Sequence, residues 1–174
     1  MKTVVITGGS KCGKSRLAEE ICGCYTGGKI YLATMRPYGT EAHEAISRHR
    51  AMRKNKGFLT REQYTDIEQV ELPGRCAVLL ECMGNLLANE MFSGEKPVGC
   101  TGKILSGIRS LQERTELLAI VTNQVGADGM EYTPETRAYI AALGEINRKI
   151  AETADLVIEC VYGIPVVLRG EYPC

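Results

Sequence analysis

Residues 3–22, TVVITGGSKCGKSRLAEEIC, decide the fold of this chain. An apolar, strand-like run from Thr3 to Thr7 stops at a glycine-rich turn, and an amphipathic helix is expected from Ser15 to Cys22. Gly8, Gly13, Lys14 and Ser15 fit G-x-x-x-x-G-K-[ST], with the strand before it and the helix after it that this phosphate-binding motif requires. The glycines let the backbone wrap closely. Successive N–H groups of Gly9, Ser10, Lys11, Cys12, Gly13, Lys14 and Ser15 can then point at phosphate oxygens, and the helix beginning at Lys14 adds its positive end. Lys14 is expected to neutralise the β- and γ-phosphates of a nucleotide. The Ser15 hydroxyl is expected to help hold the Mg²⁺ that a triphosphate brings with it.

Outward from that motif, composition sets limits. The 174 residues fit a single domain, 1–174, with one sheet and its helices. Twenty-one basic and twenty-one acidic residues cancel, so no global field draws the chain to nucleic acid or to an anionic membrane. No apolar run approaches the ~20 residues of a membrane span, and the N-terminus lacks a signal-peptide pattern, so a cytoplasmic protein is expected. The eight cysteines form no C-x-x-C, and their irregular spacing favours buried thiols over a zinc site. Cys12 differs from the others, because it sits in the phosphate loop near a helix N-terminus.

Further along, Lys29–Met35 reads as a second buried strand. Its end, Ala33, Thr34 and Met35, lies where strands of a parallel sheet line a ligand. Thr40–Lys54 has helical spacing and carries His49. From Arg48 to Arg61 there are six cations (Arg48, Arg50, Arg53, Lys54, Lys56 and Arg61) and no acid. Such a cluster suits an anion, and a histidine among arginines stays neutral and nucleophilic near pH 7; a solvated basic face is the plain alternative. Phe58–Tyr64 reads as a short strand carrying Glu62, and Cys76–Cys82 as an apolar strand ending in Glu81. A carboxylate there is either a second Mg²⁺-organising acid or an ordinary strand end. Helices are expected over Met83–Phe92, Lys103–Thr115 and Glu135–Thr153, and strands over Leu117–Asn123, Asp155–Tyr162 and Pro165–Arg169. The end of the Leu117 strand, Asn123 and Gln124, again faces the expected site. The fold class is therefore α/β: a P-loop NTPase of RecA-like type, with a mostly parallel sheet flanked by helices.

Taken in order, TGGSKCGKS, YLAT, ISRHRAMR, FLTRE, VLLEC, VTNQVG, LGEINRKIAETAD and GIPVVLR resemble the bifunctional adenosylcobinamide kinase and adenosylcobinamide-phosphate guanylyltransferase family of cobalamin assembly. The resemblance covers nearly the whole chain. It implies phosphorylation of adenosylcobinamide by ATP or GTP, then transfer of GMP from GTP to adenosylcobinamide phosphate through a guanylylated histidine, which is His49 here. It also implies nucleotide contacts from Ala33, Thr34, Met35, Arg50, Ala51, Met52, Arg53, Glu62 and Glu81, Mg²⁺ at Ser15 and Glu81, and a homotrimer. Two departures stand out: Gln124 occupies a position that is glutamate in the family motif, and Tyr139, Ile140 and Ala141 replace a phenylalanine-arginine-aspartate triplet. Readings from other classes are a P-loop kinase of another small metabolite, which needs Lys14 and Glu81 but not His49, and a nucleotide-binding switch protein.

Overall fold

The computed structural model describes residues 2–40, 44, 47, 51, 56–94, 97–126 and 128–172. Seven strands form one sheet: β1 (Lys2–Thr7), β2 (Lys29–Ala33), β3 (Phe58–Glu62), β4 (Ala77–Glu81), β5 (Leu117–Val121), β6 (Leu156–Val161) and β7 (Ile164–Arg169). Their order across the sheet is β3-β2-β4-β5-β1-β6-β7. Every neighbouring pair is parallel except β6 and β7, which form an antiparallel hairpin through Tyr162 and Gly163. Four α-helices are described in full: α1 (Lys14–Gly23), α2 (Met83–Met91), α3 (Thr101–Arg114) and α4 (Pro134–Thr153).

The pleat divides the core in two, because successive side chains of a strand point to opposite faces. Val78 and Leu80 of β4 join Leu118 and Ile120 of β5 beneath α2, α3 and α4, packed on Leu86, Ile108 and Ile146. Leu79, Ala119, Val4 and Ile6 face the other way, onto Leu17, Ala18 and Ile21 of α1. β4 and β5 are buried at every residue, which is why they read as unbroken apolar runs rather than alternating ones. The expected mostly parallel, helix-flanked α/β sheet is the fold that the chain adopts.

Three strands end two residues earlier than the sequence suggests, each where a side chain captures the backbone, and β4 and β6 end one residue short. β2 stops at Ala33 rather than Met35, where the Thr34 hydroxyl donates to Cys82 O (2.8 Å) and Asn89 Nδ2 donates to Thr34 O (2.7 Å). β3 stops at Glu62 rather than Tyr64, where the Gln63 amide binds the carbonyls of Thr65 and Asp66. β5 stops at Val121 rather than Asn123, where Asn147 Nδ2 donates to Asn123 O at 3.4 Å and Thr122 Oγ1 donates to Asn147 Oδ1 at 2.7 Å. A 3₁₀ turn at Ile67–Gln69 was not legible, and Ile67, 2% exposed, is what secures it. Of the expected helix over Thr40–Lys54, Thr40, Glu44, Ser47 and Ala51 are helical; His49, Arg50, Met52 and Arg53 lie outside the described residues.

Candidate functional site: a phosphate cradle at the carboxyl edge of the sheet

Parallel pairing fixes which residues share an edge. Ala33 is in register with both Glu62 and Glu81, Glu81 with Val121, Val121 with Ile6, and Thr7 with Glu159. The carboxyl ends of β3, β2, β4, β5, β1 and β6 thus form one row, and the loop from Gly8 to Gly13 leaves β1 in its middle.

That loop has the conformation its glycines allow. Gly8 has φ +144°, and a Cβ there would lie 2.6 Å from the Cys160 carbonyl oxygen, so only glycine passes the end of β6 at this distance. Gly13, with φ +105°, is the residue before α1, and no side chain among the described residues caps the helix. The first-turn N–H groups are therefore left facing the loop, with the positive end of the helix dipole behind them. Lys14 is 6% exposed, and its ammonium donates to Gly8 O (3.1 Å) and to Gly9 O. A cation held this way, already stripped of most of its water, is prepared for phosphate oxygens.

One helical position later, Ser15 Oγ donates to Glu81 Oε1, joining the first turn of α1 to the end of β4. Glu81 is 9% exposed. A hydroxyl and a carboxylate beside an anion cradle are hard oxygen donors of the kind a small divalent cation takes. Among the described residues no group of three or more histidine, cysteine or acidic side chains could hold a metal by itself. A cation here would have to complete its shell with phosphate and water oxygens, as expected for a metal that travels with a triphosphate.

The remaining sequence candidates fall into two sets. Glu62 is exposed on the same edge and accepts from Tyr64 Oη at 2.8 Å, while Arg36 lies over the Tyr64 ring, 6.0 Å from its centre. Met35 is half-buried beside them. Thr34, in contrast, is fully buried with its amide, hydroxyl and carbonyl all engaged by Glu81, Cys82 and Asn89; it clasps β2 to β4 and α2. Ala51 is exposed, and its neighbours His49, Arg50, Met52 and Arg53 are outside the described residues.

The seven described cysteines are all free thiols. Burial pushes the Cys22 thiol up to about 12 and raises those of Cys82 and Cys160, so these sulfurs stay protonated at neutral pH. Cys12 is half-buried, with Sγ 3.9 Å from Lys14 Nζ.

Sequence reading missed Glu159. It is half-buried near the end of β6, in register with Thr7, and accepts from Gln124 Nε2 at 2.9 Å. The signal was present: a lone acid near the end of an apolar strand, LVIECV, is the pattern that singles out Glu81. Asn89 was missed as well, since a polar residue in an amphipathic helix gives no hint that its amide spans two loops, donating to Thr34 O and Tyr64 O.

Comparison with known proteins agrees with this geometry. The family described as cobinamide kinase / cobinamide phosphate guanyltransferase matches residues 4–168. A bifunctional adenosylcobalamin biosynthesis protein of Pseudomonas aeruginosa is 28% identical over 170 residues, covering 96% of this chain and 97% of that protein. The protein of the same description from Escherichia coli is 28% identical over 184 residues, covering 95% of this chain and 99% of its own length. Among solved structures, the P4 protein from bacteriophage phi6 in complex with ADP covers 94% of this chain and 52% of its own, with a TM-score of 0.48 and 13% identity. That likeness is too distant to carry an argument. The family match, running from inside β1 to the penultimate residue of β7, takes in the whole cradle, and the chain belongs to the cobinamide kinase / cobinamide phosphate guanyltransferase family.

Proposed function

We propose that this chain phosphorylates adenosylcobinamide with ATP or GTP. It then transfers GMP from GTP to adenosylcobinamide phosphate through a guanylyl-histidine, giving adenosylcobinamide-GDP and pyrophosphate. The observation that carries the reading is the cradle itself: a nearly buried Lys14 ammonium and the Ser15–Glu81 pair at one helix start, in a chain that matches this family over 4–168.

In the first reaction, an alcohol oxygen of the acceptor attacks the γ-phosphorus, and the β–γ bridging bond breaks. Lys14 and the first-turn amides of α1 stabilise the charge that builds on the phosphates. Ser15 and Glu81 are the residues that would hold a Mg²⁺ brought by the triphosphate, which would further neutralise that charge. In the second reaction, a neutral His49 imidazole attacks the α-phosphorus of GTP and pyrophosphate leaves. A phosphate oxygen of the acceptor then attacks the same phosphorus and breaks the P–N bond. Arg50 and Arg53 offset charge on the guanylyl group, with Ala51, Met52, Ala33, Met35 and Glu62 as neighbouring nucleotide contacts.

The working form is a cytoplasmic homotrimer. What supports a second copy as the occupant of the sheet edge is β7, all six residues of which are exposed, with Ile164 at 64% and Leu168 at 59%. An apolar edge strand of that kind is a template for another chain. Among the described residues no helix is long and apolar enough to cross a membrane.

The test is to incubate the protein with α-labelled GTP and look for label on the chain that is acid-labile and base-stable, as a phosphoramidate is. Recovery of labelled adenosylcobinamide-GDP on adding adenosylcobinamide phosphate completes it. A protein that phosphorylates adenosylcobinamide but never carries label would be a kinase alone.

A further inference from the structure

We infer that Glu159 is a catalytic residue of the kinase step: its carboxylate receives the proton of the acceptor hydroxyl, and Gln124 is the positioning residue that aims it. This rests on the kinase reading above and extends it to residues that no part of that reading uses.

Position comes first. Glu159 is in register with Thr7, the last residue of β1 before the phosphate loop. Its Oε1 accepts from Gln124 Nε2 at 2.9 Å, and the Gln124 backbone N–H donates to Gly8 O at 3.2 Å. Gly8 O is also the carbonyl that the Lys14 ammonium meets at 3.1 Å. The Gln124 backbone and the phosphate-binding cation therefore meet on one carbonyl, and the Gln124 side chain ties the Glu159 carboxylate to that point.

Electrostatics then asks why an acid stands there. Leu156, Val157, Ile158 and Cys160 of the same strand are buried, and Glu159, half-buried, has no ion pair among the described residues. A carboxylate beside a loop built for phosphate repels the ligand unless something lies between them. A hydroxyl attacking the γ-phosphorus meets that need, since it gives up a proton as its oxygen bonds to phosphorus. The proton goes to the carboxylate, and the β–γ bridging electrons leave with the nucleoside diphosphate.

Gln124 fixes where the Glu159 carboxylate sits, donating to its Oε1 at 2.9 Å. A glutamate at 124 would replace that donor by a second acceptor. This chain has the amide at 124 and the acid on β6. The pair is chemically reversible: one donor and one carboxylate, with either partner able to be the acid.

The experiment uses full-length protein, γ-labelled ATP with adenosylcobinamide for the kinase step, and α-labelled GTP for the protein adduct. Glu159→Gln should lower kcat for phosphorylation about 10²-fold or more, with KM for ATP changed by less than about threefold and the guanylyl adduct still formed. The exchanged pair Gln124→Glu with Glu159→Gln should recover at least about tenfold of the lost kcat, which a merely structural role would not do. Phosphorylation by Glu159→Gln within about threefold of wild type, equal loss of both reactions, or no recovery in the exchanged pair would each overturn the assignment while leaving the bifunctional reading in place. Wild-type protein that labels with GTP but never phosphorylates adenosylcobinamide would overturn the kinase reading and this inference together.

Discussion

Replacing Lys14 by alanine separates catalysis from stability. The ammonium is 6% exposed and is held by Gly8 O and Gly9 O, so the fold has already removed it from water and aimed it at the loop. A hydrogen bond to a charged group contributes ~1.5–3 kcal/mol. Two of them to the β- and γ-phosphates are then worth about 3–6 kcal/mol, or about 10²–10⁴ in kcat/KM at ~1.4 kcal/mol per decade. The folded protein loses much less. Gly9 is exposed, so water can replace the ammonium at its carbonyl, and Gly8 O keeps its bond from the Gln124 N–H. Unfolding free energy in urea should therefore change by only about 1 kcal/mol, mostly from the lost aliphatic stem. The assay is kcat/KM for phosphorylation with γ-labelled ATP, alongside adduct formation from α-labelled GTP. Both should fall together, because both need the same phosphates held. Rates within about tenfold of wild type would refute the assignment of Lys14 as the phosphate cation.

Glu81→Gln keeps the shape next to Ser15 and removes the charge, so the Mg²⁺ concentration for half-maximal phosphorylation should rise about tenfold or more; an unchanged Mg²⁺ titration would make Glu81 a strand end. His49→Ala should abolish the GMP adduct and spare most phosphorylation, whereas His43→Ala should retain both. Wild-type labelling should fall as pH drops through the ordinary imidazole range, because a protonated histidine is no nucleophile. Lys103→Met should destabilise the fold by about 2 kcal/mol in urea, since Lys103 Nζ pairs with the buried Glu90 (2.6 Å) and with Asp66 (2.7 Å), discounted for its own partial exposure. Lys103 holds the Asp66 carboxyl below its ordinary value, so Asp66's share of that stability is present above the usual carboxylate range and lost as pH falls through it. The gap between Lys103→Met and wild type should narrow in acid.

Strands and helices were legible where periodicity or an unbroken apolar run decided them, as in β4, β5 and α4, and the phosphate loop was legible because its glycines have a steric reason. Side-chain capture of backbone was not. Neither Asn89 nor Gln63 differs in sequence from an ordinary surface polar residue, yet together they end β2 and β3 and bring Met35 and Glu62 to one edge. Glu81 was found because its strand is apolar at every position; Glu159 was passed over because its strand leads into an exposed hairpin. The link between Glu159 and the loop passes through Gln124, 35 residues earlier, and no local pattern contains it.

Sheet order adds a constraint on how one cradle serves two reactions. In the kinase step the γ-phosphorus is attacked and a nucleoside diphosphate leaves; in guanylylation the α-phosphorus is attacked and pyrophosphate leaves. In both, charge grows on the phosphates that Lys14 and the start of α1 face, so the stabilising groups can be shared. The nucleophiles cannot be, because α- and γ-phosphorus lie at opposite ends of the triphosphate. The sheet has two sides on which to put them. The segment joining β2 to β3, which carries His49, leaves and re-enters the sheet beyond β5 and β4 on one side of β1, whereas Glu159 stands on β6, the neighbour of β1 on the other side. On the proposed assignment, a triphosphate laid across the end of β1 with its nucleoside towards β2 would offer its α-phosphorus to the segment that carries His49 and its γ-phosphorus to Glu159.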